Sequence, residues 1–349
     1  MPLDTAAMQN NNLKNCCGTD IHAHVVPATL PSYIGDRLPS AWPSMAPAHE
    51  CHRHVMIGEK VYRTVTDKCW DVEKRLADMP GLGLGMQALS PMPELLSYWM
   101  DARDAQQLLR YLNEQIAEMV AIQPSQLLGL GAVPLQDVEL AITELRFLMQ
   151  TPGFAGVEIG SNVNGVPIGD IRFDPFFEAC VELGAAVFVH ALKPTGMDRL
   201  IGPAPLQQVL AYPSDVGLAA ASCITTNLIA RHPRLRIAFS HGGGTLASLL
   251  PRLEQGWQVF PALREAVTES PMAQARKLHF DTLVFDTPTL RHLVELFGGS
   301  QLMVGTDYPF NFHDRTPVQR ILAAGFDEAT ASALAYGNAE RFLGLEVYR

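Results

Sequence analysis

The chain has 349 residues and a mass of 38.2 kDa, enough for two ordinary domains or for one large α/β barrel. With 48% hydrophobic and 18% charged residues it can bury a large core, which excludes disorder over most of its length. A formal charge of −10, from 26 basic and 36 acidic residues, offers no positive field to nucleic acid or to an anionic membrane, so the partners to look for are small molecules.

Residues 1–17 are polar and Asn-rich and predict a flexible arm. Short apolar runs then alternate with segments of helical period. The strand candidates are IHAHVV near 21–26, LGLGMQAL near 82–89, LLGLGAVP near 127–134, FAGVEIG near 154–160, AAVFVH near 185–190, LRIAFSH near 235–241, LHFDT near 278–282 and QLMVGTD near 301–307. The helices expected between them run over Asp101–Ile122, Asp137–Gln150, Pro175–Leu183, Leu218–Arg231, Gly244–Trp257, Thr287–Phe297 and Asp327–Phe342. Eight such units predict a (β/α)8 TIM barrel as one domain over residues 18–349, and no GxGxxG after the first strand supports an open dinucleotide-binding sheet. Residues 30–75, rich in Pro, His and Gly, break the rhythm. They read as a small inserted cap over the barrel mouth, with a hairpin across Val55–Val65 turning near Gly58. Gly81, Gly83 and Gly85 alternate in the second strand and are expected to allow close packing inside the barrel. The six cysteines (16, 17, 51, 69, 180 and 223) show no CxxC and no disulfide framework. With no membrane-spanning run and no signal-peptide pattern, the expected location is the cytoplasm.

His22 and His24 stand two apart on the first strand, so both imidazoles face the same way, into the barrel. Each is either a satisfied core side chain or a metal ligand. The fifth strand ends in His190, the sixth in His241 and the eighth in Asp307. Because the C-terminal ends of barrel strands converge on one mouth, these five residues are expected around one point, as a mononuclear metal site with acid–base groups. Gly242–Gly244 lack the Lys-Ser/Thr of a P-loop and are expected to let substrate approach His241. His49, Cys51, His52 and His54 lack the paired spacing of a zinc knuckle and predict no second metal site. His54 is the one of them expected to face the pocket.

HAH, VFVH, FSHGGG and GTDYPF, on the first, fifth, sixth and eighth strands, together resemble the amidohydrolase superfamily, in the branch typified by α-amino-β-carboxymuconate-ε-semialdehyde decarboxylase. AVPLQD (Ala132–Asp137), GVEIGSN (Gly156–Asn162), LLPRLEQGW (Leu249–Trp257) and GNAERF (Gly337–Phe342) extend the likeness from about Asp20 to about Phe342. By that resemblance His22, His24, His190 and Asp307 match metal ligands, usually of Zn²⁺. His241 matches a catalytic histidine beside the activated water and off the metal. Arg63 in the cap and Arg252, contributed by a neighbouring subunit, match residues that hold substrate carboxylate, and Phe310 matches an aromatic beside the substrate. The resemblance implies a homodimer and non-oxidative decarboxylation of an unsaturated or aromatic carboxylic acid, similar to 2-amino-3-carboxymuconate-6-semialdehyde or a hydroxybenzoate. The chain reads His190-Ala191-Leu192-Lys193-Pro194 where the branch continues from its histidine with a Trp, so the substrate stays open, and Lys193 meets either a second anionic group or solvent. The alternative is a metal-dependent hydrolase of an amide or lactone, which uses the same ligands and base. A barrel without activity, serving as a binding protein, would lack a reason to keep every ligand and His241.

Overall fold

The computed structural model describes residues 18–35 and 42–345; the arm expected over residues 1–17, with Cys16 and Cys17, lies outside them. Eight strands pair in chain order into one parallel sheet: β1 Gly18–Val25, β2 Leu84–Pro91, β3 Leu127–Ala132, β4 Phe154–Gly160, β5 Ala186–His190, β6 Arg236–Phe239, β7 His279–Asp281 and β8 Leu302–Met303. The sheet closes on itself, because Ile21 N donates to Val304 O at 2.9 Å and Asp307 N to His22 O at 2.8 Å. Strands buried on both faces need apolar residues at nearly every position, which is why they read as continuous apolar runs. Ile21, Leu130, Phe188 and Met303 fill the inside of the barrel, and the terminal helix Asn338–Leu343 adds Ala339, Phe342 and Leu343 to that cluster. A larger cluster lies between the strands and the surrounding helices, through Leu89, Leu108, Val187, Phe239 and Leu290 among others.

The longer covering helices are α1 Val72–Leu82, α2 Ala102–Ile122, α3 Val138–Gln150, α4 Asp174–Leu183, α5 Tyr212–Thr225, α6 Leu246–Val259 and α7 Thr287–Phe297. Four begin on an aspartate: Asp71, Asp101, Asp137 and Asp286 accept from the N–H of Lys74, Arg103, Leu140 and Thr289, each cap contributing about 1 kcal/mol. Among the described residues no helix is long and apolar enough to cross a membrane, and Cys51, Cys69, Cys180 and Cys223 are free thiols.

The insertion is a three-stranded antiparallel sheet, Pro43–Pro47, His52–Ile57 and Lys60–Thr66, so the expected hairpin is present and a further strand extends it. Several expectations need correction. Gly81 belongs to α1 and Gly83 is its left-handed cap at φ 75°, where a side chain would meet Val318; neither packs inside the barrel. The helix expected from Leu218 starts at Tyr212 and stops at Thr225, with Asn227 at φ 60° before the short helix Leu228–Arg231. The last expected helix is three pieces, with a wide turn over Ala333–Gly337 between Glu328–Ser332 and Asn338–Leu343.

Candidate active site

The pairing of β1 with β2 shifts register between Asp20 and Ala23. This irregularity re-aims the strand so that Ile21 joins the inner cluster while the His22 and His24 rings also turn inward, 4.9 Å (His22) from the Phe188 ring and 5.0 Å from each other. His190 ends β5 with its ring 5.1 Å from both. Asp307 follows β8 in a left-handed conformation, φ 64°, fixed by its N–H on His22 O. One donor atom from each of His22, His24, His190 and Asp307 lies within 4.8 Å of the others. The sequence expectation that strand ends converge therefore describes the actual geometry of these four.

Their ring nitrogens show what the cluster fits. Each histidine uses Nδ1 toward an acceptor: His22 toward Asp281 Oδ2 at 2.7 Å, His24 toward Pro91 O at 3.2 Å and His190 toward Ala191 O at 2.9 Å. With Nδ1 as donor, each Nε2 presents a lone pair, and all three Nε2 atoms are buried without a hydrogen-bonding partner. Three lone pairs facing the Asp307 carboxylate are the donor set of a divalent cation. The electrostatics agree. Burial opposes charge on His22, yet the hydrogen bond and charge of Asp281, with Asp307 and Glu158, push its pKa up to about 9. Burial likewise opposes charge on Asp307, yet His24, whose Nε2 lies 3.1 Å from Oδ1 outside hydrogen-bonding geometry, and the other histidines around it hold it well below the ordinary carboxylate range. Burial first, and then the charge of His22, lower the pKa of His24 and His190, which keeps those two rings neutral beside the charged Asp307.

His241 stands beside this cluster, its ring 5.4 Å from that of His22 and 5.1 Å from that of His190, at φ 55°. Burial and the nearby His22 lower its pKa to about 4, so it is a neutral base near neutrality. Of the next three glycines, Gly244 lines the cavity beside His241, as expected, and all three have a further backbone role. All have positive φ, and a side chain would strike Val284 at Gly242, the Phe280 ring at Gly243 and the Pro213 carbonyl at Gly244. They let the chain turn tightly against α5 and β7.

A cavity of about 270 Å³ opens on the cluster, lined by His190, His241, Asp307, Arg63, Phe310 and Glu94 among others. Arg63 reaches it from the cap, its guanidinium 4.3 Å above the Phe310 ring; among the described residues no carboxylate forms an ion pair with it, although, against burial, the charges of Glu94 and Asp307 raise its pKa. Phe310 in turn stacks on His24, ring centres 5.2 Å apart. Arg252 is exposed on α6 and does not line this cavity. Lys193 lies outside it, its ammonium 3.8 Å over the Trp99 ring. His54 is also outside, paired with Thr64 Oγ1 at 2.9 Å in the cap sheet, which corrects the expectation that it faces the pocket.

Residues 19–345 match the amidohydrolase family. The chain belongs to that family. As an amidohydrolase it is 36% identical to a 2-amino-3-carboxymuconate-6-semialdehyde decarboxylase of Dictyostelium discoideum, over 94% of this chain and 91% of that one. The crystal structure of 5-carboxyvanillate decarboxylase from Sphingomonas paucimobilis superposes with a TM-score of 0.72 at 28% identity, covering 80% of this chain and 84% of the other. The apo IDCase of Metarhizium anisopliae shares the fold at a TM-score of 0.81 and 20% identity, covering 96% and 98%.

This amidohydrolase site also uses residues that sequence reasoning passed over. Asp281, the last residue of β7, takes the His22 Nδ1 proton on one oxygen and the N–H groups of Gly242 (2.7 Å) and Leu283 (3.1 Å) on the other. Glu158 on β4 accepts from Ser90 at 2.5 Å and lies 3.6 Å from His24 Nδ1; burial raises its pKa to about 8. Asp20 is wholly buried and accepts from His22 N, Thr306 N, Thr306 Oγ1 and Gln87, tying β1 to the segment that carries Asp307. The available signal was position: each is an acidic residue inside an apolar strand, where an unpartnered carboxylate is too costly to stand.

Proposed function

We propose that this protein is a metal-dependent, non-oxidative decarboxylase of an unsaturated or aromatic carboxylic acid. The observation that carries the reading is the set of three unpartnered Nε2 atoms facing Asp307 at the end of a cavity that Arg63 enters without a carboxylate of its own. His22, His24, His190 and Asp307 would hold the ion, Zn²⁺ by its preference for mixed N/O sets, with Mn²⁺ or Fe²⁺ as alternatives. Bound there, a divalent ion supplies Lewis acidity, lowering the pKa of water toward neutrality and polarising a substrate oxygen.

Arg63 grips a carboxylate with two parallel hydrogen bonds, and Phe310 beneath it fixes the plane of its guanidinium. His241, neutral at the start, takes a proton from water and passes it to the carbon that loses its carboxylate, and the hydroxide that remains combines with the released CO₂ as bicarbonate. The carbon–carboxylate bond breaks, its electron pair stays on that carbon with the new proton, and CO₂ leaves. The hydrolase alternative uses the same ligands and base. The free arginine in the cavity and relatives that are decarboxylases by name support decarboxylation over it. Arg252, exposed on α6, fits the role of completing the site of a second copy, which makes the working unit a homodimer in the cytoplasm. Metal analysis of the purified protein with CO₂ release from muconate semialdehydes and hydroxybenzoates tests the proposal. About one divalent ion per chain with CO₂ release is expected; a metal-containing protein that hydrolyses amides or lactones and releases no CO₂ overturns it.

A further inference from the structure

The cavity has a second polar wall, opposite in charge to Arg63. Glu94, in the turn Pro93–Leu96 after β2, lines it and is 8% exposed. Its Oε1 accepts two hydrogen bonds, from the hydroxyl of Tyr62 on the cap and, at 2.5 Å, from that of Tyr212 at the start of α5. Burial first, and then the charge of Glu94, raise the pKa of both phenols, so both remain donors. Oε2 is buried with no hydrogen-bonding partner.

A carboxylate oxygen enclosed without a donor is costly. Holding the cap to the barrel is a task that Oε1 performs alone, and the charge of Glu94 also favours the Arg63 guanidinium, but neither gives Oε2 a donor. Nor is Glu94 at the reacting centre. It is not one of the four clustered residues, and the Tyr212 ring that it holds is 5.9 Å from that of His190 and 6.5 Å from that of His241. As a wall residue of the cavity that opens on the histidine cluster, Glu94 is placed to read a group on the substrate away from the carbon that reacts.

We propose that Glu94 sets specificity: its Oε2 accepts a hydrogen bond from an amino or hydroxyl group of the substrate. The acids taken would then carry an N–H or O–H donor in addition to the carboxylate that Arg63 holds. This rests on the reading of the site as one for carboxylic acids.

The test is calorimetric binding to the Zn²⁺-loaded full-length protein of benzoates that carry an amino, a hydroxyl, a methoxyl or a methyl group at each ring position. Methyl has the size of the two donors and no proton to give. At one ring position the wild type should bind the amino or hydroxy acid at least about tenfold more tightly than the methyl acid. The stronger of the two arms names the donor. In Glu94→Leu that preference should fall to within about twofold of unity. In Glu94→Gln, whose amide keeps its oxygen for the tyrosines and turns N–H₂ to the cavity, the preference should move toward the methoxy acid. A wild type without preference at any position overturns the proposal, as does a preference that survives in Glu94→Leu. If Glu94→Leu does not fold, Glu94→Gln decides. CO₂ release is followed in the same samples. Release with selectivity unchanged in the variants sinks only the role of Glu94. Donor-selective binding without CO₂ from any of these acids or from the muconate semialdehydes sinks only the decarboxylase reading, and no binding of any benzoate sinks the role of Glu94.

Discussion

Replacing Asp281 by asparagine changes the shape of the site hardly at all and tests the tautomer argument directly. Asp281 and His22 are both fully buried, with Oδ2 2.7 Å from Nδ1, while Oδ1 takes the N–H groups of Gly242 and Leu283. An asparagine oxygen must keep those two amide donors, so its N–H₂ group would face His22 Nδ1. The imidazole then has to offer Nδ1 as an acceptor and carry its proton on Nε2, the atom needed for the ion. A hydrogen bond to a charged group contributes roughly 1.5–3 kcal/mol, and at 1.36 kcal/mol per decade its loss weakens metal binding roughly 10- to 150-fold. Competition against a chromogenic chelator near neutral pH measures this. Asp286→Asn serves as the control, since that exposed aspartate caps α7 and asparagine caps equally well. A Zn²⁺ affinity of Asp281→Asn within about twofold of the wild type would refute the reasoning, because it would mean that His22 chooses its tautomer without this carboxylate.

His241→Ala should retain its metal and lose roughly 10²- to 10⁴-fold in CO₂ release, whereas loss of metal from that variant would make His241 a ligand. Arg63→Ala should raise KM for carboxylate substrates about tenfold or more while changing kcat less, and Arg63→Lys should recover only part of this because it cannot form the paired fork. His279, at the start of β7 against Phe342, gives a pH effect remote from the metal centre. Burial is the main cause that lowers its pKa from 6.5 to about 4, helped by the charges of Arg236 and Arg341. The unfolded chain therefore takes up the proton first as the pH falls. Stability is intact above about 6.5 and declines down to about 4, by about 2.5 × 1.36, or roughly 3 kcal/mol. Chemical denaturation at neutral and mildly acidic pH should show that loss in the wild type and a smaller one in His279→Phe; equal losses would show that His279 does not carry it.

The chemistry of this site was legible in the sequence because it sits on strand ends. His22, His24, His190, His241 and Asp307 are all at the end of an apolar run or within it, and a parallel barrel leaves one place for such ends to meet. Asp281 has the same placement and was passed over, since its meaning lies in the ring opposite and not in its own neighbours. The start of α5 was misplaced for a different reason. Pro213, Asp215 and Gly217 look like a loop, yet Pro is tolerated in a first helical turn. Asp215 is spent on Ser161 and on the N–H of Thr195, and a side chain at Gly217 would strike Thr245. Each punctuating residue serves a contact made far along the chain.

That difference explains why the reaction could be read from sequence and the substrate could not. The residues proposed as ligands and base come from strands whose geometry is common to every barrel, so residue type and position are enough. The wall of the cavity is built from the cap, the turn after β2 and the start of α5, and Tyr62, Glu94 and Tyr212 meet there although 32 and 118 positions separate the two tyrosines from Glu94. None of the three carries a motif. A carboxylate oxygen left without a donor by that meeting is visible only in three dimensions, because it depends on which side chains the fold brings around Glu94 and not on the residues beside it in the chain.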